Sequence, residues 1–117
     1  MTNVLFLDGN HALRSVFAEC LRNDGFTVPE AGDTAEAKRA CEQFDAMIDL
    51  SIPGAEAGVV AEAKHLTEKY PAMKVLYIGG PEWKSRMQRP RTPRSRWLET
   101  PFTYDDLARS VRDLATR

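Results

Sequence analysis

Short continuous apolar runs alternate along this chain with stretches whose apolar residues recur at helical spacing. Val4 to Leu7 is a continuous run, as in a strand buried on both faces. Asn10 can cap a following helix with apolar positions Leu13, Val16, Phe17, Cys20 and Leu21, which Gly25 ends. Phe26 to Val28 predicts a short strand, with Pro29 placing it toward an edge. A second, Ala-rich helix opens at Asp33 or Thr34 and runs to about Glu42. Phe44 to Ile48 predicts strand three, with Asp49 at its C-terminal end. After the turn Ser51-Ile52-Pro53-Gly54 a third helix is expected to about Tyr70, facing inward through Val59, Val60, Ala63 and Leu66 and stopped by Pro71. Val75 to Ile78 reads as strand four and Trp97-Leu98 as a short strand five. Thr103 and Asp106 form the capping box of a last helix, with Leu107, Val111 and Leu114 inward. Between strands four and five, Pro90 and Pro93 leave room for about two helical turns, Glu82 to Arg89. A shortened or irregular fourth helix is therefore expected, followed by an exposed basic loop over Arg89 to Arg96.

Strands alternating with helices in this way give an α/β fold, a five-stranded parallel sheet with helices on both faces. A length of 117 residues suits one domain, 1–117, with a single core. No apolar run approaches the roughly 20 residues of a membrane span, and no basic leader precedes Val4, so no membrane role is expected and the location is expected to be cytoplasmic. At this length, with no output domain read in the sequence, the chain is expected to be free-standing. Cys20 and Cys41 lie far apart on inward helix faces and read as spectator thiols.

Charge changes the picture. The chain carries 16 basic and 17 acidic residues, a net charge of -1, which argues against a general nucleic-acid coat. Six of the basic residues, Lys84, Arg86, Arg89, Arg91, Arg94 and Arg96, fall in one stretch without an acid. Without those six, 10 basic residues remain against 17 acidic, a net -7. One basic segment on an acidic body is either a solvated loop or a partner-binding surface, and arginine suits carboxylate and phosphate alike. An acidic protein face is the preferred partner over nucleic acid. Trp83 and Trp97 flank the segment.

In open parallel sheets, sites form at the C-terminal strand ends. Asp8 closes strand one, Asp49 is expected to close strand three, and Gly79-Gly80 closes strand four. Two carboxylates brought together there either bond loop amides or share a hard cation such as Mg2+. His11 stands beside Asp8, where a surface or capping role is the default, and His65 has no partner at ligand spacing.

These residues carry a resemblance. Leu5-Phe6-Leu7-Asp8, Arg14, Asp49-Leu50-Ser51-Ile52-Pro53-Gly54 and Trp97-Leu98-Glu99-Thr100-Pro101-Phe102 together resemble the receiver domain of two-component response regulators, over essentially the whole chain. The resemblance implies a flavodoxin-like, CheY-like (βα)5 fold in a phosphorelay. It implies Asp49 as the phosphoacceptor for a sensor histidine kinase, and Mg2+ held by Asp8, Asp49 and the Ser51 backbone carbonyl. It also implies Trp97 as the switching aromatic. The pattern is incomplete. Gly9 stands where a second acid is expected, Gly79 replaces a hydroxyl residue, and Thr100 replaces a lysine. Losing one carboxylate beside a metal costs roughly 1–4 kcal/mol, or about 10- to 1000-fold in affinity. The expectation is an atypical pseudo-receiver, not an enzyme. Its Mg2+ binding and its phosphorylation at Asp49 would be weak or absent, and it would act through protein–protein contact. The alternative is a working Mg2+-dependent phosphoacceptor. The output face would be Glu82 to Thr100 with the last helix, toward a histidine kinase, another signalling protein or a second copy, although the altered fourth helix argues against the family's usual dimer.

Overall fold

The computed structural model describes residues 2–44, 47–54, 65–82 and 95–116. Strand β1 (Val4–Leu7) lies at the centre, and its alternation explains the layering. Val4 and Phe6 point into one core with Leu21, Leu76, Leu107 and Val111. Leu5 and Leu7 point into another, with Ala37, Ala40, Cys41, Leu66 and Met73. A strand covered on both sides needs a continuous apolar run, and Val4–Leu7 supplies one.

The remaining strands are β2 (Glu30–Ala31), β3 (Leu50–Pro53), β4 (Lys74–Gly79) and β5 (Ser95–Glu99). They form one parallel sheet in the order β2-β1-β3-β4-β5, the flavodoxin-like arrangement expected from sequence. Helices α1 (His11–Asn23) and α4 (Tyr104–Ala115) cover the Phe6 face, while α2 (Thr34–Gln43) and α3 (residues 65–69) cover the Leu5 face. No helix among the described residues is long and apolar enough to cross a membrane.

Local signals behave as read. Asn10 accepts the Leu13 N–H at 3.2 Å and Asp33 accepts the Glu36 N–H at 2.8 Å, so α1 and α2 start on their expected caps. Gly25, at φ 96°, ends α1 in a Schellman turn, with Phe26 N–H donating to Leu21 O and Gly25 N–H to Arg22 O. The Thr103–Asp106 capping box opens α4. Tyr104 ties α4 to α1, its hydroxyl reaching Cys20 O at 2.9 Å and the Asp24 carboxylate at 2.6 Å. Burial and the Asp24 carboxylate together push its pKa well above the usual tyrosine value.

Four expectations need correction. The second strand is not Phe26 to Val28: Thr27 makes an isolated bridge to Asn3, and the strand proper is Glu30–Ala31. The carbonyls of Thr27, Pro29 and Ala31 accept the N–H groups of Val4, Phe6 and Asp8 in turn. Pro29 has no N–H to return to β1, so the pairing is interrupted at that residue. On α1, Leu13 and Val16 are exposed rather than inward, and the buried residues are Ala18 and Leu21. Strand five is longer than Trp97-Leu98, and Arg96 belongs to it instead of to a basic loop. The largest correction concerns strand three, which is Leu50–Pro53 and not Phe44 to Ile48.

That last difference is a competition between neighbouring apolar runs. Helix α2 continues to Gln43, Phe44 is its C-cap and Met47 is 68% exposed. Leu50, Ser51, Ile52 and Pro53 are all buried, so the second run wins the central position. The residues expected inward, Val59, Val60 and Ala63, lie outside the described residues, as does the fourth helix expected over Glu82 to Arg89 apart from Glu82, which is helical.

Candidate functional site at the carboxyl edge of the sheet

Parallel pairing fixes which residues reach each end of the sheet. Val4 stands beside Leu50 and Leu7 beside Pro53, so Asp8 and Gly54 emerge together at the C-terminal edge. The Gly54 N–H donates to Leu7 O at 2.8 Å and extends the ladder. Gly79 ends β4, and Thr100 follows β5 with its N–H donating to Gly79 O at 3.0 Å. Among the described residues the edge is therefore lined by Asp8, Gly54, Gly79, Gly80 and Thr100.

Asp49 is not there. It precedes β3, and its Oδ2 accepts the Asn3 N–H at 2.8 Å at the N-terminal edge. Asn3 also donates from its side chain to Met47 O at 2.7 Å, which fixes this corner. Five residues of strand separate the level of Asn3 from that of Asp8, about 16 Å at the usual rise. The expected pairing of Asp8 with Asp49 does not form. Ser51 moves with its strand: it sits between Leu5 and Val75 in mid-sheet, fully buried, so its carbonyl is not at the edge expected for metal binding.

Asp8 itself is held tightly. It is 7% exposed, and its Oδ1 accepts the Asn10 N–H at 2.9 Å. Beneath it, Arg14 donates to the Asp8 carbonyl at 2.6 Å, to Glu30 at 3.2 Å and to His11 Nδ1 at 2.8 Å. Glu30 also pairs with Arg22 at 3.1 Å. Burial opposes ionisation of Glu30, but hydrogen bonds from Arg14 and Arg22 outweigh it and hold the carboxyl below its ordinary range. Sequence reading singled out Arg14 and Asp8 but missed Glu30, because nothing in the spacing of residues 14, 22 and 30 announces that they meet.

Gly54 decides what Asp8 can do. A Cβ placed on Gly54 would lie 2.7 Å from Asp8 Cγ and 2.9 Å from Oδ2. No side chain can stand beside Asp8 from that position without displacing it, so a carboxylate pair cannot be built there. Among the described residues no group of three His, Cys, Asp or Glu side chains could hold a metal ion. Mg2+ takes carboxylate oxygens in octahedral geometry, and the donor set among the described residues, one carboxylate already hydrogen-bonded, does not fit it.

The other expected residues are scattered. Trp97 stacks half-buried on Tyr77 with ring centroids 6.0 Å apart, and its Nε1 is buried without a hydrogen bond among the described residues. Arg96 is ion-paired to Asp113 of α4 rather than free for a partner. Lys84, Arg86, Arg89, Arg91 and Arg94 lie outside the described residues. Cys41 is buried and Cys20 partly exposed, and neither is in a disulfide among the described residues.

No family model matches the chain, and no curated protein matches it. Solved structures do. A response regulator receiver domain protein from Clostridium thermocellum is 18% identical, with a TM-score of 0.81, over 100% of this chain and 96% of that one. The fold is that of a response-regulator receiver domain. A receiver protein from Sinorhizobium medicae WSM419 is 27% identical with a TM-score of 0.78, covering 98% of this chain and 94% of that chain. The receiver domain of the hybrid histidine kinase CckA is 27% identical with a TM-score of 0.72, covering 97% and 98%. On this receiver fold, the sheet edge that ends in Asp8 holds a glycine beside it, and the acid of the Asp-x-x-x-Pro-Gly motif lies at the opposite edge.

Proposed function

We propose that this receiver-fold chain is a signalling module that works by protein–protein contact without phosphorylation of Asp49. One observation carries the reading. Gly54 occupies the place beside Asp8 where an acceptor carboxylate would have to stand, while Asp49 bonds Asn3 at the far edge. Phosphoryl transfer needs an acceptor, a metal and a charge partner in one place, and here the acceptor is about 16 Å of strand from the remaining acid. The module would be a cytoplasmic binding protein rather than an enzyme, with Mg2+ binding weak or absent. Its partner class is a histidine kinase or another signalling protein, in keeping with the neighbour that is part of a hybrid histidine kinase.

The test is a Mg2+ titration followed by a beryllofluoride phosphoryl mimic, read by tryptophan fluorescence and by amide NMR, with Asp49→Asn as control. The expected result is no saturable response at millimolar Mg2+ and no mimic-induced change in either protein. A saturable change that Asp49→Asn abolishes would restore the phosphoacceptor reading. It would require β3 to slip by four residues, about 13 Å, to bring Asp49 next to Leu7.

A further inference from the structure

Helices α2 and α3 enclose a cleft of about 60 Å³ on the Leu5 side of the sheet, remote from the Asp8 edge. Its floor is Cys41, Leu66 and Tyr70, and among the described residues its rim carries Lys38, His65 and Lys69 against one acid, Glu42. Lys69 lies over the Tyr70 ring, Nζ 5.4 Å from the centroid, which holds its ammonium at the rim. Among the described residues Lys38 has no ion pair, although Glu42 stands four residues along the same helix, and Lys69 makes only its ring contact. Two ammonium groups without an ion pair among the described residues and an imidazole thus converge on a small recess, on a body that is acidic outside its basic segment.

We infer that this cleft recognises one anionic group, a carboxylate or small oxyanion, and that its occupant is an acidic side chain of a protein partner. The size sets the class. A recess of about 60 Å³ holds a few waters, enough for a carboxylate and too small to enclose a nucleotide. Its exposed, two-helix rim gives a protruding Asp or Glu access, and the apolar floor favours an occupant that arrives with its own aliphatic stem over a fully hydrated ion. The inference rests on the interaction-module reading for its use in the cell, but not for its measurement. The Mg2+ and beryllofluoride test reads Asp8 and Asp49, while the cleft reads residues 38–42 and 65–70, so either can fail alone.

The experiment is amide NMR of the full chain titrated separately with acetate, inorganic phosphate and a short blocked peptide containing Glu next to leucine. Saturable shifts confined to residues 38–42 and 65–70 are expected, with the peptide binding more tightly than acetate or phosphate. Lys38→Gln and Lys69→Gln should each weaken peptide binding about two- to fivefold, the range for exposed charge pairs. Arg39→Gln, on the same helix but outside the cleft, should leave it unchanged. Phosphate or acetate binding as tightly as the peptide would overturn the assignment to a partner side chain. An equal effect of Arg39→Gln, or no saturable shift in these residues, would overturn the site.

Discussion

Substituting Ile52 by Ala and, separately, Met47 by Ser tests which of two adjacent apolar runs is strand β3, and with it the position of Asp49. Ile52 is fully buried and packs in the core shared by Phe6, Leu76 and Leu107. Truncating it loses transfer free energy and leaves a cavity, about 2–5 kcal/mol in all. Met47 is 68% exposed, so Met47→Ser should change stability by no more than about 0.5 kcal/mol. Urea unfolding followed by far-UV circular dichroism measures both. With a slope of about 1–3 kcal/mol per molar urea, the Ile52→Ala midpoint should fall by roughly 1–2 M and the Met47→Ser midpoint should stay in place.

The slipped register predicts the reverse pattern. Moving β3 by four residues puts Ile48 where Ile52 now stands and Met47 in the place of Ser51, between β1 and β4. Met47→Ser would then be costly and Ile52→Ala nearly neutral. That outcome would falsify the placement of Asp49 at the N-terminal edge, and the separation of Asp8 from Asp49 would fall with it. Ile52→Val, expected to cost about 0.5–1.5 kcal/mol, keeps the comparison readable if the Ala variant does not fold.

Three further outcomes are expected. Gly54→Ala should destabilise by about 1–3 kcal/mol through overpacking against Asp8, and most of that cost should vanish in an Asp8→Ala background, a coupling that a double-mutant cycle measures. Glu30 has a folded pKa below its ordinary 4.5, so its contribution is present above that value and lost as pH falls through the lower folded one. Glu30→Gln should therefore flatten the acid side of the stability–pH profile, and an unchanged profile would mean the Arg14 and Arg22 contacts contribute nothing. Tyr104→Phe should cost about 0.5–1.5 kcal/mol. Because the Tyr104 pKa is raised by folding, its contribution is present below about pH 10 and lost above it, so the variant should show a shallower alkaline decline.

Much of the fold was legible because it rests on local signals. The caps at Asn10, Asp33 and Thr103 and the turn at Gly25 depend on side chains reaching backbone groups within four residues. The inward positions Leu107, Val111 and Leu114 follow from helical period and are buried. The errors arose where period alone cannot choose. Leu13 and Val16 fit the apolar spacing of α1, yet the helix is rotated so that Arg14 reaches under Asp8, and those two residues face solvent. Between Phe44 and Pro53 two apolar runs compete, and only burial against β1 and β4 selects the second.

The candidate site was legible in its residue types and not in its geometry. Asp49 with the following Leu50-Ser51-Ile52-Pro53-Gly54 matches a receiver motif, but a motif places its acid at a sheet edge only if the strand ends there. Parallel pairing converts a four-residue difference in strand assignment into a move from one edge to the other, about 13 Å, because each residue advances the chain by roughly 3.3 Å. The same pairing brings Gly54 against Asp8, a contact that depends on glycine having no side chain. Where β3 begins therefore decides the functional question. If Leu50 is its first residue, Asp8 has no acidic partner across the edge among the described residues, which favours signalling through surfaces such as the α2–α3 cleft, where lysines surround a recess.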